Sequence, residues 1–287
     1  MTQTHRTAPE LPTELPDPVS PVTPVTSFQH SQRSTVILGV AGVLGFVALW
    51  ELISRTGIVD STYLPPFSQV AVEMAALLAT GPFWSALGST MLSWAIGLTI
   101  SLVAGVVLGI AIGTSRFLRT WTSSTIEFLR PIPSVALIPI AIVVFSITQS
   151  ATVFIVVWAC FWVILVHVTS GVADVDPVAK ATARSYGLGW SWRARFVTWP
   201  TTLPYLMTGV RMSGTIALVV AITIELVVGT PGLGNLLARN QSAGNVDTVY
   251  ALALLTGFLG LALNAAMQAV ERASLSWHPS VRAEVAA

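Results

Sequence analysis

Six long apolar stretches, parted by polar breaks, constrain this chain more than any other feature of it. A helix that crosses a bilayer needs about 20 mainly apolar residues and must pair its own backbone groups. Thr35 to Ser54, Leu87 to Thr114, Ala151 to Thr169, Tyr205 to Val228 and about Tyr250 to Val270 fit that requirement. Ile126 to Ile147 is equally apolar, but Pro131, Pro133 and Pro139 each remove a backbone donor, so it is the least regular of the set. The pattern predicts an all-α polytopic membrane protein of about six transmembrane helices. Composition agrees: 53% of the residues are hydrophobic and 9% are charged, against roughly a quarter charged in soluble domains. The partner this implies is the lipid bilayer. A net charge of +1 gives no reason to expect a nucleic acid.

The chain divides into three parts. Residues 1–33 hold Pro9, Pro12, Pro16, Pro18, Pro21 and Pro24 among Thr and Ser, too little apolar surface to fold, and are expected to be a disordered arm rather than a signal peptide. Residues 34–278 form the membrane domain, and 279–287 a short tail. With six spans, one side of the membrane receives Arg116, Arg119, Lys180, Arg184, Arg193, Arg195 and Arg272, while the other receives Arg55 and Arg239. The positive-inside rule then places both termini and the insert at about 174–204 in the cytoplasm.

The second span carries Gly97, Ser101, Gly105, Gly109 and Gly113 at a spacing of four, a face that lets another helix approach closely. Charges within spans are costly and therefore informative. Glu225, late in the fifth span, shares a face with Arg211, Gly214, Leu218 and Ala221, and has two readings: lining a translocation path, or capping a neighbouring helix. Glu51 closes the first span at the interface, and Glu127 with Arg130 has the spacing of a local ion pair. No catalytic constellation is present. His5, His30, His167 and His278 are scattered, Cys160 is the lone cysteine, and neither a metal cluster nor a phosphate-binding Gly-x-x-x-x-Gly-Lys-Ser/Thr loop can be assembled.

The polar insert is too long for a hairpin connection. Asp176 is a good N-cap and Pro177 suits the first helical turn. Ala179, Ala183 and Tyr186 recur at helical spacing, and Gly187 is placed to end the helix in a left-handed conformation. A second short helix is expected from about Ser191, closed by Pro200, with Trp190, Trp192, Phe196 and Trp199 as an interfacial belt beside Arg193 and Arg195. On these residues alone, the insert is either a docking element or an amphipathic segment lying on the membrane.

The insert resembles the cytoplasmic coupling loop of binding-protein-dependent ABC importer permeases. That pattern runs Glu-Ala-Ala, three residues, Gly, then an apolar-x-Leu-Pro ending. Here Ala181, Thr182 and Ala183 lead, Gly187 follows, and Val197, Thr198, Trp199 and Pro200 close it. Ala48 to Leu52, Leu64 to Ser68, Leu129 to Pro133, Ala136 to Pro139 and Gly232 to Gly234 are similar to the branch that imports nitrate, sulfonates and taurine. The resemblance runs from about Leu38 to His278. Two positions depart from the pattern. Ala181 stands where the loop has Glu, and the family's Phe-Gly-x-Gly stretch appears as Phe145, Ser146, Ile147, Thr148 and Gln149.

The resemblance implies a permease subunit of an ATP-driven importer in a bacterial cytoplasmic membrane. It would form half of the path for a small anion such as a sulfonate, nitrate or taurine. Its partners would be a cytoplasmic ABC ATPase dimer, a second permease copy or paralogue, and an extracytoplasmic solute-binding protein. ATP would sit on the ATPase, and this chain would bind no cofactor. Ala181, Thr182, Ala183, Arg184, Gly187 and Pro200 would form the coupling element, with Glu225 on the path. Two other classes compete with this one. An ion-coupled carrier calls for intramembrane charge pairs and often internal repeats, which the sequence does not offer. A non-transporting membrane scaffold that recruits a cytoplasmic protein is kept open by Ala181.

Overall fold

The structure is a computed structural model and describes residues 32–275. The expected arm and tail lie outside those residues, save Gln32 and Arg33, which already belong to the first helix. The chain divides into two units, residues 1–49 and 50–287. Helix α1 (Gln32–Arg55) begins in the first, where Val40, Leu44 and Phe46 are exposed, as a surface turned to lipid requires.

In the second unit follow α2 (Phe67–Leu78), α3 (Gly81–Thr114), α4 (Arg116–Leu129), a 3-10 turn (Ser134–Leu137), α5 (Ile138–Phe145) and α6 (Gln149–Ala173). Then come α7 (Pro177–Ser185), α8 (Trp190–Arg193), a π-turn (Ala194–Thr198), α9 (Trp199–Val228), α10 (Leu233–Ser242) and α11 (Val246–Ser274). No strand occurs among the described residues. Helices α1, α3, α6, α9 and α11 are long and apolar enough to cross a membrane. The third span of the sequence reading is not one straight helix: α4 and the segment Ser134–Phe145 meet at 82°. Pro131 and Pro133 lie in the break and neither can donate to a helical ladder; Arg130 before Pro131 is still α-helical, while Pro133 has left the helical region with ψ 124°. Glu127 and Arg130 both precede this break, the one within α4 and the other at its C-cap, and they form no ion pair.

Helices α3, α6 and α9 make the core. The glycine face of α3 lies against α6. A Cβ added at Gly105 would stand 2.7 Å from Ile164, one at Gly109 2.8 Å from Val168, and one at Gly113 2.7 Å from Val172. Ser101 completes the face, its hydroxyl donating to the Gly97 and Val157 carbonyls at 2.8 and 3.1 Å. In the same core α6 packs Ile155 and Cys160 with Ala217, Ala221 and Ile224 of α9, and Val156 meets Gly97 of α3. Cys160 is fully buried and donates to the Ser213 carbonyl at 3.3 Å.

Two short helices that the apolar pattern did not reveal, α2 and α10, pack together with α11 through Val70, Leu77, Leu233, Ala251 and Leu252. Each has its N-terminus held by a carboxylate from a spanning helix. For α2 the carboxylate is Glu51: Ser68 donates to it from both its amide (3.1 Å) and its hydroxyl (2.9 Å), while Arg55 pairs with it at 2.6 Å. The positive end of a helix favours such an anion.

Candidate functional site

The polar insert folds as the helix–turn–helix its punctuation suggests, up to a point. Asp176 caps α7 by accepting from the Val178 amide at 2.8 Å, and Pro177 occupies the first turn. At the far end Gly187 is left-handed, with φ 70°. Its amide donates to the Arg184 carbonyl at 2.9 Å and the Leu188 amide to the Ala183 carbonyl at 3.0 Å. This paired closure is the Schellman motif, which needs a residue free of Cβ strain at the turn. Ala183 and Val175 are buried and anchor α7 to the bundle. Ala181, Thr182, Arg184 and Gly187 are exposed. Tyr186, which the spacing would put on the buried face with Ala183, is instead the C-cap and is 81% exposed.

Pro200 does not close a second short helix. Helix α8 passes through the π-turn directly into α9, and Pro200 lies in the first turn of that helix. A proline in a continuous helix clashes with the carbonyl four residues back, and a π-turn widens the backbone at that place. Hydroxyls take up carbonyls along the way: Thr201 donates to Val197 at 2.9 Å and Thr208 to Pro204 at 3.1 Å. The element is therefore joined rigidly to α9 and separated from α7 by the Gly187 turn.

Beside this joint, α6 and α9 enclose a cleft of about 750 Å³ lined by His167, Asp174, Thr201, Tyr205 and Thr208. The Tyr205 hydroxyl donates to Asp174 at 2.7 Å, tying the start of α9 to the end of α6. The His167 Nδ1 lies 2.7 Å from the Val163 carbonyl, which can only accept, so Nδ1 carries the proton. Further along α9, Arg211 pairs with Glu271 of α11 at 3.4 Å.

At the opposite end of α9, Glu225 is wholly buried and caps a neighbouring helix. Its Oε2 accepts from the Gly234 amide at 3.1 Å and from the Thr90 hydroxyl at 2.8 Å, and Thr90 in turn accepts from the Leu233 amide at 2.9 Å. The first two amides of α10 thus end on one carboxylate, directly and through one hydroxyl. Asn235 donates to the Gly229 carbonyl, and Thr152 and Thr230 share a bond of 2.8 Å, so α3, α6, α9 and α10 meet in one buried polar knot. The sequence held no local sign of Thr90 or Thr230 as partners. Gly232 and Gly234 were the available signal, since a Cβ at either would collide with Glu225.

Residues 102–275 match the family described as binding-protein-dependent transport system inner membrane component. The chain is 30% identical over 237 residues to SsuC of Escherichia coli (strain K12), by name an aliphatic sulfonates transport permease, covering 83% of this chain and 90% of that one. It is 28% identical to the bicarbonate transport system permease CmpB of Synechococcus elongatus, over 80% of this chain and 86% of the relative. To the taurine transport system permease TauC of Escherichia coli (strain K12) it is 26% identical, over 86% and 91%. Among solved structures, the inward-facing methionine ABC transporter MetNI matches with a TM-score of 0.55 at 23% identity, over 70% of this chain and 97% of that one. An amino acid ABC transporter crystallised with histidines matches with a TM-score of 0.57 at 19% identity, over 69% and 96%. The structural likenesses bear on the fold.

Proposed function

The chain belongs to the binding-protein-dependent transport system inner membrane components, permease subunits of ABC importers, and from that premise we propose that α7, the Gly187 turn and α8 are where a cytoplasmic ATPase docks and drives α9. The observation that carries this is continuity. The exposed helix α8 runs without a break, through a π-turn, into a core helix, and α7 reaches it across the Gly187 turn. A push on the exposed element therefore reaches the bundle instead of being absorbed in a loop. Ala181, Thr182 and Arg184 form the exposed contact face, Gly187 the elbow, Ala183 the anchor, and Pro200 the joint.

The solute is a small anion of the sulfonate or taurine kind, with bicarbonate the alternative suggested by CmpB. A solute-binding protein delivers it from outside, and a second copy or a paralogue completes the path. ATP binds and is hydrolysed on the ATPase. The membrane is the bacterial inner membrane, with both termini and the α7–α8 element on the cytoplasmic side, as the asymmetry of the basic residues supports. Glu225 serves the path indirectly, by holding α10 at the outer end of α9.

The test begins with a mild-detergent pull-down of the tagged chain from its host. An ATPase is expected near stoichiometric amounts, and a second permease species would identify a heteromeric pair. The decisive variant is Gly187→Val. The site has open space around the missing Cβ, so the variant strains only the backbone. It should insert normally yet lose coupled uptake, whereas Gly187→Asn, which tolerates the left-handed region, should keep most of it. Uptake by Gly187→Val at the unmodified rate, or recovery of the intact chain without any ATPase, would overturn the docking assignment.

A further inference from the structure

The cleft between the end of α6 and the start of α9 has a one-sided chemistry. Every donor on its polar side chains is already spent. Thr201 gives its hydroxyl proton to the Val197 carbonyl at 2.9 Å, Thr208 to the Pro204 carbonyl at 3.1 Å, and Tyr205 to the Asp174 carboxylate at 2.7 Å. His167 gives its Nδ1 proton to the Val163 carbonyl at 2.7 Å. Each of these partners can only accept, so the direction of every bond is fixed. What remains for a ligand is a set of acceptors: the hydroxyl oxygens of Thr201, Thr208 and Tyr205, Nε2 of the neutral His167 ring, and Oδ1 of Asp174. Asp174 enters no salt bridge among the described residues. Lys180 of the adjoining α7 turns its ammonium to the Val172 carbonyl at 3.5 Å instead. Two glycines keep the walls together: a Cβ at Gly209 would stand 3.0 Å from His167, and one at Gly171 3.0 Å from Tyr205.

Acceptors around one unneutralised carboxylate call for a ligand group that only donates. An ammonium group carries three donors and no acceptor, whereas a sulfonate or carboxylate would meet lone pairs on every side. The cleft, at about 750 Å³, lies within the roughly 300–1,000 Å³ of small-molecule sites and exceeds what a bare ion fills. Pro200 and Pro204 add apolar rings to its wall, against which a carbon skeleton can rest. We propose that this cleft binds a small organic ammonium ion that carries no anionic group, its charge on Asp174 and its N–H groups shared among His167, Tyr205 and Thr208. Asp174 is the C-cap of α6 and Tyr205 belongs to α9, so an occupant that touches both braces the two core helices against each other. Binding does not depend on an ATPase docking at α7; only the arrival of the ligand from the cytoplasm rests on the orientation proposed above.

The test uses the full chain in phosphatidylcholine nanodiscs, which carry no net charge, with empty discs as the blank. The probe is 4-fluorobenzylammonium, titrated and followed by fluorine NMR line broadening beside its neutral and anionic counterparts, 4-fluorobenzyl alcohol and 4-fluorobenzoate. The ammonium should saturate a site and bind roughly tenfold tighter than either counterpart. Asp174→Asn should weaken it about fivefold, as expected for an exposed charge contact. Asparagine still accepts from Tyr205, so this variant keeps the tie between α6 and α9. Asp247→Asn, at the start of α11 and outside the cleft, should leave the affinity unchanged, and matched elution profiles exclude misfolding in both variants. Taurine, whose sulfonate would face the same lone pairs, should not displace the probe. Equal binding of the alcohol, an affinity untouched by Asp174→Asn, or displacement by taurine would each overturn the proposal. The readout needs neither an ATPase nor transport, so a failed docking assignment leaves it standing.

Discussion

Ser146 sits with φ 59° and ψ −167°, a region that only glycine enters without strain, and it is the single non-glycine residue with positive φ among those described. It occupies the place of the first glycine in the family's Phe-Gly-x-Gly stretch. Thr148, at the second, is extended with φ −124° and carries no such strain. Ser146→Gly should therefore stabilise the protein by about 1–2 kcal/mol, read as a higher Tm in detergent, while Thr148→Gly should not. Glu225 gives the opposite kind of prediction. Glu225→Ala leaves the Gly234 amide and the Thr90 hydroxyl buried without their acceptor and should cost about 3 kcal/mol. Glu225→Gln keeps an acceptor oxygen and should cost about 1 kcal/mol. Thermal unfolding of the two variants side by side checks the order. At this scale the sequence exposed Ser146 through its departure from a pattern. It could not expose the bond from Thr90 to Glu225, because the partners are 135 residues apart and neither belongs to a motif shared with the other.

Among the elements, punctuation with a local cause was readable and punctuation with a tertiary cause was not. Asp176, Pro177 and Gly187 act within one turn of themselves, and α7 begins and ends where they say. The glycine face of α3 was readable because its spacing belongs to the helix itself; that α6 fills it is a fact of packing. Gly109→Leu should drive α3 off Val168 and the Leu165 backbone, with a loss of about 3 kcal/mol or of folded yield. The same change at Gly88, where nothing lies within 4 Å, should be tolerated. Pro200 and Pro133 show the limit. Pro200 reads as a stop and Pro133 as an irregularity within a span, yet the first is accommodated by a π-turn and the second accompanies an 82° bend. What decides between these outcomes is whether the neighbouring helices hold the chain in line. Helices α2 and α10 escaped notice because each is too short for a spanning signal and relies on a distant carboxylate for its first turn.

For the molecule as a whole, five of the six expected spans are each legible as one helix, because the bilayer imposes one length on every crossing; the count reaches six only if the bent pair α4 and Ser134–Phe145 is one crossing. Its orientation can be measured cleanly, since the sole native thiol, Cys160, is fully buried and silent to polar reagents. Cysteines placed at Tyr186 and at Gln241, both exposed, should label from opposite sides of intact cells: Gln241→Cys directly, Tyr186→Cys only after permeabilisation. Labelling of both from one side would refute the six-span arrangement.

The unbroken run from Trp190 to Val228 has a mechanical consequence. At helical rise it is a rod roughly 55–60 Å long. Glu225 binds one end of it to α3 and α10, Arg211 ties its middle to α11, and Tyr205 ties it to α6. From Tyr205 back to Trp190 the rod overhangs those ties by about 22 Å. A displacement of that overhang would be passed to every helix the ties reach, so the run is a shared handle on the bundle.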